Sequence, residues 1–124
     1  VKELLMSAEY IMASGNENVI LCERGVRTFD SYTRNCLDVS AVPYLHKVSH
    51  LPVIIDPSHA CGMSWMVPTL AKAAVAAGAD GLIIEVHNDP SRALCDGEQS
   101  LRPDEFALLM KTLARVAKIE GRSV

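Results

Sequence analysis

Leu4, Leu5, Ala8, Ile11 and Met12 recur at helical spacing and predict an amphipathic helix from about Lys2 to Ala13. Ser14-Gly15-Asn16 is its stop signal. Three short apolar runs follow at wide intervals: residues 18–22, 51–55 and 82–86. Each is rich in β-branched residues and uninterrupted by polar ones (Glu85 excepted), the pattern of a strand buried in a parallel sheet. Between the first two, Leu37, Val39, Val42 and Leu45 are apolar at mixed spacing and Pro43 interrupts them, which predicts a short helix or turn. Val67 to Ala77 reads as a helix with Pro68 in its first turn, ended by Gly78-Ala79-Asp80-Gly81. Pro103 opens a last helix with the stripe Phe106, Leu109, Met110, Leu113, Val116 and Ala117. Strands alternating with helices predict an α/β fold with a parallel sheet and right-handed crossovers. Asp56-Pro57-Ser58-His59 and His87-Asn88-Asp89-Pro90 read as loops.

Composition narrows the class. A chain of 124 residues corresponds to one domain by the usual prior of roughly 100–200 residues. With 49% hydrophobic and 22% charged residues it is not a disordered chain. A net charge of −3 gives no footprint for nucleic acid or membrane surfaces, and 5% aromatics leave little for base stacking. The apolar runs fall far short of the roughly 20 residues that span a bilayer. Cys22, Cys36, Cys61 and Cys95 form no Cys-x-x-Cys pair, and a core of this size needs no disulfide, so a reducing, cytoplasmic setting is expected. The sequence starts at Val1, already inside a helical pattern and without a capping residue, which suggests a fragment of something larger.

The candidate chemistry lies at the ends of the strands. The first ends at Cys22-Glu23-Arg24, the second at Asp56 and His59, the third at Glu85 and His87. In parallel α/β folds the carboxyl ends of strands carry the active site. His59, Glu85 and Asp96 together offer one imidazole and two carboxylates, a mixed donor set suited to Mn, Fe, Co or Zn. Glu85 interrupts an apolar run, where an unpaired carboxylate would cost several kcal/mol. The alternative is an ion pair between Glu85 and an arginine, with His59 a hydrogen-bonded loop residue. Arg24 and Arg27 flank Gly25-Val26 directly after a strand, so their guanidinium groups could grip phosphate or carboxylate, with Gly25 admitting a ligand to the backbone. They could equally be solvated surface charges, the default also for Arg34 and Arg92. His46, His50 and His87 read as structural or exposed. Cys61, two residues after His59, could approach a metal or form a nucleophilic pair with that histidine; otherwise it is a small core residue.

Several segments taken together resemble one enzyme family: residues 20–29 (Ile20-Leu21-Cys22-Glu23-Arg24-Gly25-Val26-Arg27-Thr28-Phe29), 37–43, 49–53, Asp56-Pro57-Ser58-His59, Ile84-Glu85-Val86-His87 and 91–100. The resemblance is to 3-deoxy-arabino-heptulosonate 7-phosphate synthase, of the subfamily related to 3-deoxy-manno-octulosonate 8-phosphate synthase. It implies a (β/α)8 barrel, of which residues 1–124 would be the carboxyl-terminal half. The implied activity is that of a transferase condensing phosphoenolpyruvate with erythrose 4-phosphate, the first step of the shikimate pathway to aromatic amino acids. The resemblance further implies a divalent metal held by His59, Glu85 and Asp96, with His59 and Arg24 catalytic. Arg24 would contact phosphoenolpyruvate, and Arg27 and Thr28 would complete the substrate-binding set. Arg27-Thr28 matches the heptulosonate enzyme, whereas the octulosonate enzyme carries a Thr-Ser-Phe-like run there. The family's fourth metal ligand, a cysteine near the first barrel strand, has no counterpart among the four cysteines here. The implied partners are the amino-terminal half of the barrel and further copies of the chain in a homo-oligomer. The alternatives are half of an octulosonate 8-phosphate synthase and a non-catalytic half-barrel that associates through its sheet edges.

Overall fold

A computed structural model describes residues 1–123. Helix α1 (Lys2–Ala13) leads to strand β1 (Leu21–Glu23), helix α2 (Ala41–Val48), strand β2 (Val53–Ile55), the short helix α3 (Pro57–Cys61), helix α4 (Val67–Ala76), strand β3 (Gly81–Leu82) and helix α5 (Pro103–Ile119). Single 3-10 turns occupy Ser64–Met66, Pro90–Arg92 and Gly97–Gln99. The three strands form one parallel sheet in the order β1-β2-β3. Leu21 pairs with Val53 and Glu23 with Ile55, then Ile54 with Gly81 and Ile55 with Leu82. The α/β class and the parallel sheet expected from the pattern are therefore present.

One face of this sheet is covered by helices. Leu21, Val53 and Ile55 point into a core with Ala8, Val42 and Leu45 of α1 and α2. A second core joins Val67, Ala71 and Val75 of α4 to Leu109, Leu113 and Ala117 of α5. Partly buried Leu82 packs against both. The opposite face is open: Cys22 and Ile54 are half-buried, and Ile20 and Ile83 are 59% and 47% exposed. The sequence pattern predicted strands buried on both faces, and only the helix-covered face is.

The strands are shorter than their apolar runs, because a strand extends only as far as a partner offers hydrogen bonds. β1 begins at Leu21, whose N–H donates to the Pro52 carbonyl at 2.9 Å, rather than at residue 18. β2 ends at Ile55 because the next segment turns into α3. β3 then loses its neighbour: the last cross-strand bond is Ile83 N–H to the Ile55 carbonyl, 2.9 Å. The Glu85 N–H donates instead to Ser58 Oγ at 3.0 Å, and Val86 forms an isolated parallel bridge with Leu101. Residues 82–86 are thus not one strand, and Glu85 lies beyond the sheet.

Asp56-Pro57-Ser58-His59, expected as a loop, opens a helix. Asp56 caps it by accepting the His59 N–H at 2.9 Å, and Pro57 sits where no intrahelical N–H is needed. The segment around Pro43 is also helical. That proline stands in the first turn of α2, where its missing N–H breaks nothing.

Candidate metal centre

The cluster is built where β2 and β3 part. Helix α3 starts one residue beyond β2 and carries His59 on its first turn. Glu85 is brought alongside by its backbone bond to Ser58, a fully buried serine of the same helix. Asp96 arrives from the loop before α5. His59, Glu85 and Asp96 each present one donor atom, and these atoms lie within 4.8 Å of one another. The ion pair of Glu85 with an arginine, the alternative at the sequence level, is not formed among the described residues. Its Oε2 stands 3.4 Å from His59 Nε2 and accepts a hydrogen bond from Gln99 Nε2 at 2.9 Å.

The imidazole is oriented from behind. His59 Nδ1 lies 2.8 Å from Asp56 Oδ2, and the carboxylate accepts the Nδ1 proton. In the neutral ring the lone pair then sits on Nε2, toward Glu85 and Asp96, the tautomer a metal-binding histidine needs. The Asp56 side chain is 5% exposed, so this orientation is held out of water. Its Oδ2 also lies 3.8 Å from Arg24 Nε, linking the arginine after β1 to the histidine after β2. A neutral imidazole nitrogen and two half-buried carboxylates fit a divalent cation such as Mn, Fe, Co or Zn.

The structure places the other sequence candidates as follows. Arg24 is at the cluster's margin, with its guanidinium 58% exposed. Arg27 and Thr28 lie on the exposed loop after β1, and among the described residues no hydrogen bond or ion pair joins them to the cluster. That loop is closed at its base by paired backbone bonds between Val26 and Cys36, 2.8 and 2.9 Å. Gly25, expected to admit a ligand, serves packing instead. At φ +98° a Cβ there would meet Asn35 Cβ at 2.6 Å and the Ala60 Cα at 3.0 Å. Cys61 is no ligand: its thiol is buried in the second core and donates to the Pro57 carbonyl at 3.0 Å. Burial pushes that thiol's pKa up, which disfavours a nucleophilic thiolate. His46 and His87 make structural hydrogen bonds, to Asp80 and to the Asp89 N–H, and His50 is exposed.

The sequence alone does not assign Asp56, Ser58 or Gln99 to the cluster. Asp56 and Ser58 belong to a motif already singled out, and an Asp-Pro pair before an apolar turn is an N-cap signal. Gln99 carries no such signal, since nothing in Gly97-Glu98-Gln99 marks which side chain turns toward Glu85. Glu23, at the end of β1, is a buried carboxyl whose Oε1 accepts the Gly25 N–H at 2.8 Å, while Oε2 has no hydrogen-bond partner. Burial raises its pKa above the ordinary carboxylate value.

The chain belongs to the DAHP synthetase I family, whose model matches residues 1–119. It is 51% identical over 124 residues to a phospho-2-dehydro-3-deoxyheptonate aldolase of Thermotoga maritima, covering 100% of this chain and 37% of that protein. It is 38% identical over 120 residues to a 2-dehydro-3-deoxyphosphooctonate aldolase of Geobacter sulfurreducens, covering 88% of this chain and 43% of that one. A solved structure of a truncated form of 3-deoxy-D-arabino-heptulosonate 7-phosphate synthase from Thermotoga maritima superposes with a TM-score of 0.95 at 52% identity, covering 97% of this chain and 46% of that chain. The chain thus spans less than half the length of these relatives.

Proposed function

We propose that this chain supplies the metal centre and part of the phosphoenolpyruvate site of a 3-deoxy-arabino-heptulosonate 7-phosphate synthase. The observation that carries the reading is the convergence of His59, Glu85 and Asp96, in a chain half-identical to a heptonate aldolase. On this reading residues 1–124 are the carboxyl-terminal half of a (β/α)8 barrel acting in the cytoplasm. The open face of the sheet, with Ile20, Cys22, Ile54 and Ile83, would line the barrel interior.

The reaction joins C3 of phosphoenolpyruvate to the aldehyde carbon of erythrose 4-phosphate; water adds at C2 and inorganic phosphate leaves. His59, Glu85 and Asp96 would hold a divalent cation, which would supply Lewis acidity toward the aldehyde oxygen. The chain's own groups prepare that step. Asp56 fixes the His59 ring by holding its Nδ1–H, so that Nε2 is the nitrogen turned toward Glu85 and Asp96. Arg24 faces Asp56 through Nε, its one ion pair among the described residues, and its outer nitrogens take phosphoenolpyruvate by charge-assisted hydrogen bonds. Arg27 and Thr28, on the loop beyond, contribute to substrate binding and to the choice of aldehyde.

The test is the full-length protein assayed with phosphoenolpyruvate and either erythrose 4-phosphate or arabinose 5-phosphate. The reading expects turnover with erythrose 4-phosphate and a loss of at least about a hundredfold in kcat/KM for His59→Ala. A preference for arabinose 5-phosphate would assign the octulosonate reaction instead. Identity favours the heptulosonate side, at 51% against 38% for the octulosonate relative.

A further inference from the structure

Asp96 and Glu85 bring two carboxylates together beside His59. Something must hold these like charges in place before a cation arrives. Asp96 does so in an unfavourable backbone state: at φ 54° it is the one non-glycine residue with positive φ among those described. Its carbonyl accepts from Ser100 Oγ at 2.9 Å and from the Gln99 N–H at 3.3 Å. These bonds hold the turn but not the carboxylate.

The carboxylate is met by Arg34. Its Nη1 stands 3.7 Å from Asp96 Oδ1 and donates a long hydrogen bond, 3.4 Å, to Gln99 Oε1. Gln99 is 3% exposed and uses both ends of its amide: Oε1 receives Arg34, and Nε2 donates to Glu85 Oε2 at 2.9 Å. A single guanidinium nitrogen therefore touches one acidic member of the trio directly and the other through a buried amide. The amide's orientation is dictated by these partners, because Glu85 only accepts and Arg34 only donates.

Arg34 itself is anchored to the helix that carries the histidine. Its N–H donates to the Cys61 carbonyl at 3.2 Å, and the Asn35 N–H donates to the Ala60 carbonyl at 2.8 Å. Its side chain lies over Gly62, where a Cβ would come within 3.1 Å of Arg34 Cβ. The arginine thus ties the loop after β1, the end of α3 and the loop before α5 at one point.

We propose that Arg34, acting through Gln99, is a positioning residue of the metal centre, holding Asp96 and Glu85 at ligating separation. This rests on the metal reading of the trio. Because the Arg34 side chain is 56% exposed, its bare charge is screened by solvent. Its contribution is geometric, through the one nitrogen, Nη1, that reaches both Asp96 Oδ1 and Gln99 Oε1.

The experiment measures Mn2+ affinity by calorimetry, and the visible spectrum with Co2+ bound, in the full-length protein. The variants are Arg34→Ala, Arg34→Lys, Gln99→Leu and the Arg34→Ala/Gln99→Leu pair, with His59→Ala as the control for the site. Arg34→Ala and Gln99→Leu are each expected to weaken Mn2+ binding by about 10- to 100-fold, the range for partners behind metal ligands. Both should alter the Co2+ spectrum and leave the metal-free melting temperature within a degree or so. The pair should lose little more than either alone, because one relay is broken once. Arg34→Lys keeps the charge but not the planar group that sets where Nη1 stands, and should fall in between. Affinity within twofold of the parent in Arg34→Lys and Gln99→Leu overturns the proposal, as do losses that simply add or that track metal-free unfolding. A parent protein that binds Mn2+ no better than His59→Ala overturns this proposal and the metal reading together; parent binding with unaffected variants overturns this one alone.

Discussion

Asp56 is the residue on which most of the site's geometry converges. It caps α3, takes the His59 Nδ1 proton and faces Arg24. Asp56→Ala should therefore fail in two separable ways. Loss of the cap costs about 0.5–2 kcal/mol of stability, read from denaturant unfolding. Loss of the ring's orienter should weaken Mn2+ binding by tenfold or more, read by calorimetry. An unchanged metal affinity would remove Asp56 from the site. Glu23 makes the opposite kind of prediction. Its pKa is raised by burial first, with the nearby Asp38 and Asp56 charges adding to it against the opposing backbone N–H groups of Gly25 and Asp38. A carboxyl with a raised folded pKa favours the fold when protonated, and that contribution is lost as pH rises through the folded value. Glu23→Gln should accordingly melt higher than the parent above neutral pH, and the gain should shrink toward pH 4. A gain that grows as pH falls would contradict the assignment.

At the scale of elements, the helices α1, α4 and α5 were legible because their apolar stripes run for ten residues or more at one period. The strands were legible as existing, but not in extent. An apolar run such as residues 82–86 says that a segment is buried; it does not say where the neighbouring strand stops offering carbonyls. Here β2 stops because Asp56-Pro57 begins a helix of five residues, too short for periodicity to reveal. The trio was legible as three donor types, with His59 and Glu85 near the ends of apolar runs and Asp96 in the polar stretch beyond. The support from Arg34 was not, because it reaches Gln99 across 65 positions and looks like any surface arginine.

The amino ends of the strands carry a second joint. Asp80, just before β3, accepts from the Val53 N–H at 2.8 Å, contacts His46 of α2 at 2.8 Å and pairs with Arg122 at 3.0 Å. Burial pushes its pKa up, but the Val53 N–H, His46 and Arg122 outweigh that and hold it below the ordinary carboxylate value. A depressed folded pKa gives stability above the unfolded value of about 3.9, lost as pH falls through the folded one. Asp80→Asn should cost about 1 kcal/mol at pH 7, the scale of a part-exposed network, and flatten the acid limb of a stability profile. An acid limb as steep as the parent's would contradict this.

At the scale of the whole chain, the sheet has one covered face and one open face. β1 and β3 are its two edges, and each offers unpaired backbone groups to another chain or segment. Ile20, Ile83 and Val86, on the run of chain leading through the open side, are 59%, 47% and 38% exposed. Residues 1–124 expressed alone should therefore self-associate, giving a dimer or larger species by light scattering; a monodisperse monomer would contradict the expectation. The same geometry explains why the trio stands at a rim. It gathers on the side where β2 and β3 diverge, which is where a barrel of this topology would open its mouth.

His59, Glu85 and Asp96 are proposed to hold one divalent cation. Anomalous diffraction from crystals of the full-length protein grown with Mn2+ tests it most directly. The expected result is a manganese peak bonded to His59 Nε2 and to one carboxylate oxygen each of Glu85 and Asp96, with Asp56 still on His59 Nδ1. A peak elsewhere, or none at these three side chains under saturating Mn2+, would contradict it.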